Sequence, residues 1–244
     1  MQKKQFDNNN FVLYAPDSLN YITGDLESIL NNTFDFYKKL FDVDNFRKIQ
    51  INYFDKLEDF RNFVYEIRGE SESLSEYAAG TFDGGMINAY IASNVVVGSP
   101  LYYHRKYMAS HELFHIMYME LIWEKNNQDR IVWFDEGMAQ LFSGTYDYAF
   151  NDNFYNWFNE LKNSTKVIPE LNKLDHGTGF MNSDYNGYYL SVLAVKYLYD
   201  TMGIDNFKQL MSDNKKILEL GNTALKDAFD YYDSLLNNNL HSLQ

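Results

Sequence analysis

His111-Glu112-Leu113-Phe114-His115 is the stretch on which the reading of this chain turns. On an α-helix, residues four apart lie one above the other on the same face, with about 6 Å between their Cβ atoms. Two imidazoles at that spacing can each offer a nitrogen to one Zn²⁺ at roughly 2.0–2.1 Å. Glu112 follows the first histidine directly. It flanks the ion rather than capping it, where it can take a proton from a water. Leu113 and Phe114 point off that face and are expected in the core.

A third ligand is available downstream. Trp133-Phe134-Asp135-Glu136-Gly137-Met138-Ala139-Gln140 reads as the start of a short apolar helix carrying an acidic pair. Catalytic zinc favours three protein ligands and one open position, and two histidines with one glutamate form a known set. Glu136 would supply the oxygen. Twenty residues separate it from His115, enough to finish one helix, turn and begin another. The alternative is that Asp135 and Glu136 merely favour a helix N-terminus. Asp135 could also accept the outer N–H of a ligand histidine.

Together, the two motifs resemble the gluzincin zinc metallopeptidases, the clan of thermolysin-like enzymes and the aminopeptidase N family. There the second motif reads as an aromatic, a short polar step, then Glu-Gly-x-Ala. Glu136, Gly137 and Ala139 fit it, at a spacing a residue or two longer than in the best-known members. The resemblance implies one Zn²⁺ per chain held by His111, His115 and Glu136. It implies hydrolysis of peptide bonds, with Glu112 as general base. It also implies an α+β, thermolysin-like catalytic domain: an N-terminal lobe with a mixed sheet and helices, a helical C-terminal lobe, and the zinc cleft between them.

Two further matches extend the resemblance. Gly84-Gly85-Met86-Ile87-Asn88 is similar to the Gly-x-Met-Glu-Asn strand of the aminopeptidase branch, which lies along the substrate at the sheet edge. A peptide can add itself to such an edge by main-chain hydrogen bonds. Ile87 replaces the glutamate that grips a free amino group there, and an isoleucine cannot hold an ammonium. That departure favours an endopeptidase. An aminopeptidase, or a binding module that has lost hydrolysis, are the alternatives. GGMIN could equally be a Gly-Gly bend between strands.

Tyr188, Ser191 and Leu198 keep the spacing of the branch's oxyanion-stabilising tyrosine, and such a donor is worth ~10²–10³ in rate. Tyr185 and Tyr189 are rivals in a chain with 21 tyrosines. His176 could play the same part, as a histidine does in thermolysin-like relatives.

Composition narrows the classes. The chain has 244 residues, 45% of them hydrophobic and 18% aromatic, ample for a large core and a cleft. The net charge of −13 would repel a nucleic acid or an anionic membrane surface; a peptide or protein substrate is what the resemblance implies. No cysteine is present, which excludes disulfides and thiolate metal sites. Met1 to Asn10 lacks an apolar core and does not read as a signal peptide. A cytoplasmic protein, or a secreted one already processed, both fit.

The expected elements follow hydrophobic periodicity. Phe11 to Ala15 reads as a strand closed by Pro16. Leu19 to Phe41 reads as an amphipathic helix and Lys48 to Phe54 as a strand. Asp55 is expected to cap the next helix, and two strand pieces are expected around Gly84-Gly85. Ser99-Pro100 opens a long helix to about Trp123. Phe150 to Leu161 and Tyr188 to Met202 read as helices, with a last one from about Thr223 to Leu236. The whole is one catalytic domain over residues 1–244, with sub-lobes at about 1–123 and 124–244.

Overall fold

A computed structural model describes residues 2–69, 74, 78–150, 153–174 and 180–241. Two compact units emerge: Met1–Met117 with Ser143–Thr145, and Tyr118–Phe142 with Tyr146–Gln244.

The first unit is built on a mixed sheet. Its strands are β1 (Lys3–Asp7), β2 (Phe11–Ala15), β3 (Ile49–Phe54), β4 (Gly80–Asp83) and β5 (Met86–Tyr90), in the order β1-β2-β3-β5-β4. β2, β3 and β5 run parallel, while β1 and β4 are antiparallel to their neighbours. Helix α1 (Thr23–Leu40) makes the crossover from β2 to β3, and α2 (Leu57–Arg68) follows β3. The α+β class with a mixed sheet is the one expected.

Alternation assigns the two faces. Phe11, Leu13, Ile49, Ile51, Tyr53, Ile87 and Ala89 share one face and are fully buried. α1 turns Leu26, Leu30, Phe34 and Tyr37 inward, and Phe34 stacks on Phe11 with centroids 5.8 Å apart. Each such side chain contributes about 1.5–3 kcal/mol on burial. On the opposite face Phe54 packs with Phe60 and Val64 of α2, and Tyr90 joins them.

Two local expectations are corrected in this sheet and its flanks. α2 begins after Lys56, which makes no side-chain cap, and Asp55 instead accepts from the Ser18 hydroxyl at 2.6 Å. Gly84 and Gly85 both have positive φ, 58° and 79°, so GGMIN spans a tight β4–β5 hairpin. β5 is therefore flanked on both sides, by β3 and β4, and of the hairpin's two strands it is β4 that lies at an edge. Ile87 is fully buried in the sheet, and Asn88 accepts from Asn52 at 2.9 Å. Neither residue lies along a substrate edge.

The long helix expected from Ser99 is interrupted. α3 (Pro100–Lys106) is capped by the Ser99 hydroxyl, which accepts from Tyr102 N at 3.1 Å. Tyr107 breaks the run, and α4 (Met108–Tyr118) resumes it. The Tyr53 hydroxyl donates to the Lys106 carbonyl at 3.3 Å, taking up an orphan acceptor at the break.

The second unit is helical. A π-helical turn (Met119–Trp123) leads into α5 (Glu124–Asn126), α6 (Val132–Phe142) and α7 (Asp147–Phe150). Then come α8 (Phe154–Ser164), α9 (Gly187–Met202), α10 (Ile204–Leu210), α11 (Asn214–Leu220) and α12 (Ala224–His241). The aromatic helix expected from Phe150 to Leu161 is two pieces, and the last helix runs further than expected. Every residue of α6 from Trp133 to Gln140 is buried. α9 lies so close to α6 that a Cβ on Gly137 would stand 2.6 Å from the Ser191 carbonyl oxygen. Phe207 of α10 packs on Phe134 and Phe142, and Phe229 of α12 on Phe158. No helix among the described residues is long and apolar enough to cross a membrane.

Candidate metal centre

α4 carries His111, Glu112 and His115 within the first unit. Leu113 and Phe114, on its other side, are fully buried, as expected. Phe114 meets Tyr37 and Phe41 at centroid distances of 5.5 and 5.6 Å. Polar contacts pin the same helix to α1. The Thr33 and Ser110 hydroxyls lie 2.9 Å apart, and the Tyr37 hydroxyl donates to the Ser110 carbonyl at 3.1 Å. The helix position is thus set one residue before the first histidine.

That anchoring fixes the imidazoles. His111 and His115 are half-buried, their rings nearly perpendicular at 85° with centroids 4.6 Å apart. Their Nε2 atoms converge to 3.0 Å. Two nitrogens on a tetrahedral zinc stand about 3.3 Å apart, from bond lengths near 2.05 Å. The pair is thus preset close to the spacing a shared cation needs.

Glu112 sits under the edge strand. A Cβ on Gly80 would lie 2.7 Å from Glu112 Oε1 and 2.5 Å from Met108 Cγ. Only glycine lets the β4 backbone come this near the carboxylate. His104, on α3, is kept neutral far into acid, its pKa lowered to about 4. Burial is the main cause, and Arg105 and His111 add to it.

Glu136 belongs to the second unit, in the first half of α6, and is buried beside the fully buried Asp135. Two adjacent carboxylates inside an apolar helix need a cation. Arg130 provides it. Its Nε donates to Asp135 Oδ2 at 2.6 Å and its Nη2 to Glu136 Oε1 at 2.7 Å. Its guanidinium lies 5.9 Å from the Trp123 ring centroid. Burial works against its charge, but Asp135 and Glu136 outweigh that and hold it firmly protonated. Removing one partner from a buried group of this kind costs about 3–5 kcal/mol. Arg130 is thus a described partner of Asp135.

Tyr188 opens α9 in the same unit. Asn186 caps the helix, its Oδ1 accepting from Tyr188 N at 3.0 Å. The Tyr188 ring lies edge-on to Phe180 at 4.6 Å and is 37% exposed. Tyr189 packs against Tyr146 and Trp157, and Tyr185 is half-buried. His176 lies outside the described residues.

Sequence reasoning missed Arg130 and Gly80. Arg130 is the last residue of 124–130, which read as a charged turn, and its only signal is the acid pair that has to be neutralised. Gly80 has none before the hairpin is placed. No family profile matches this chain, and a search of curated proteins gives no match.

Proposed function

We propose that this chain is a zinc-dependent peptidase of gluzincin type and thermolysin-like arrangement, acting as an endopeptidase. The carrying observation is the 3.0 Å convergence of His111 and His115 Nε2 on the helix that presents Glu112 beneath the edge strand. The donor types support the fit: His111, His115 and Glu136 suit one divalent ion. A bound zinc would supply Lewis acidity, lowering the pKa of a water and polarising a carbonyl.

The remaining steps fall to side chains. Glu112 accepts a proton from the attacking water and passes it to the leaving amine. The Tyr188 hydroxyl donates to the oxyanion, a part for which His176 is the rival. β4, with Gly80 above Glu112, offers main-chain groups to an extended peptide. The acidic residue of that hairpin, Asp83, accepts from Arg68 Nε at 2.6 Å. That pairing speaks against Asp83 as a clamp for a free amino terminus and favours internal cleavage. Ile87 contributes nothing to this choice, because it is core.

The test is metal analysis of the purified chain, followed by a panel of internally quenched peptides with and without chelator. One zinc per chain and chelator-sensitive cleavage are expected. Absence of zinc, or cleavage indifferent to chelation, refutes the reading. N-acetylated peptides should be cut as well as free ones. Loss on acetylation would make the enzyme an aminopeptidase.

A further inference from the structure

Resting on the zinc reading above, we propose that Arg130 is the positioning residue for Glu136, tying Oε1 so that ligation falls to Oε2 alone. The geometry of the fork carries this. Adjacent residues on a helix project about 100° apart, so Asp135 and Glu136 do not naturally face one point. One guanidinium reaches both, at 2.6 and 2.7 Å, and so restricts the rotamers of both. Trp123 lies at 5.9 Å from the guanidinium and limits its swing. Both acids stand on the buried stretch Trp133–Gln140 of α6, and Arg130 reaches them from just before the helix.

The arrangement serves two ends. Without an ion, Arg130 is the counter-charge that lets α6 hold two buried acids. With an ion, it keeps Glu136 monodentate and leaves a coordination position open for water. A lysine cannot substitute, because an ammonium is a point charge without the planar fork.

The experiment uses the full chain as wild type, Arg130→Met, Arg130→Lys and Asp135→Asn. Zinc affinity is measured by competition with a chromophoric chelator, and the visible spectrum is recorded after loading with cobalt. Wild type is read first: a chain that takes up no zinc refutes the metal reading itself. Given zinc binding, Arg130→Met and Arg130→Lys should both weaken it ~10–100-fold, the usual cost of losing a group that orients a ligand. Asp135→Asn should weaken it less. The cobalt band should lose intensity in both Arg130 variants as the released carboxylate turns bidentate and coordination number rises. If Arg130→Met does not fold, Arg130→Lys, which keeps the charge, carries the test. Wild-type affinity and an unchanged cobalt spectrum in Arg130→Lys would overturn the proposal. So would tighter zinc binding in either variant, which would mark Arg130 as a competitor for the carboxylate.

Discussion

Gly80 leaves open the space that the Glu112 carboxylate fills, with 2.7 Å between the place a Cβ would occupy and Oε1. The atoms in the way are ends of flexible side chains, Glu112 Oε1 with Met108 Cγ and Sδ. Gly80→Ala should therefore fold with a melting temperature within a few degrees of wild type. Turnover should fall at least ~10-fold, because a displacement near 1 Å at a reacting group costs up to about 10²-fold. Melting curves and kcat/KM on one preparation check this. Unchanged turnover would remove Glu112 from the role proposed.

Glu112→Gln keeps the shape of the side chain and removes its basicity. Zinc content should stay at the wild-type level while kcat falls by about 10²–10⁴. Elemental analysis alongside peptide cleavage decides. A variant that still cleaves near the wild-type rate would refute the general-base assignment.

Tyr188→Phe should lower kcat by about 10²–10³ with little change in KM. Tyr189→Phe keeps the ring contacts with Tyr146 and Trp157 and should leave kcat within a few-fold of wild type. The opposite ranking would move the oxyanion role to Tyr189.

Gly137→Ala meets backbone rather than a movable side chain, since its Cβ would sit 2.6 Å from the Ser191 carbonyl oxygen. α9 must shift, at a cost of about 1–3 kcal/mol. Chemical denaturation should show that loss, and an undiminished midpoint would mean α6 and α9 are looser than described. The same contact gives the Glu-Gly pair a physical reason. The glycine seats α9, the helix whose first turn carries Tyr188.

His104 sets an acid limit. Its pKa is about 4 in the fold against 6.5 ordinarily, so below 6.5 the unfolded chain binds more protons. The stability tied to His104 is whole above pH 6.5 and drains away as pH falls towards 4, by at most about 3 kcal/mol. His104→Gln should flatten that limb of a stability–pH curve. A curve parallel to wild type between pH 6.5 and 4 would rule the histidine out.

Much of the first unit was legible because its signals are local. The i, i+4 histidines, the α1 stripe from Leu26 to Tyr37 and the Ser99-Pro100 helix start are read without knowing any partner. β1 was not legible. Lys3–Asp7 is polar and lies at the sheet edge, held by pairing with β2 and by ion pairs that leave the strand, Lys48 with Asp7 and Lys3 with Asp17. The edge position that the resemblance implies for the GGMIN strand fails for a related reason. A hairpin motif says that two strands pair, but which of them lies outermost depends on a third strand distant in sequence. Arg130 belongs to the same class, visible only once a buried acid pair demands a partner.

From Trp133 to Gln140 no position of α6 faces solvent. A saturation mutagenesis screen scored on cell survival or abundance would therefore find all eight positions intolerant, and Glu136 would look no different from Phe134. In this segment importance and chemistry can be told apart only by assays that follow the ion and the fold separately.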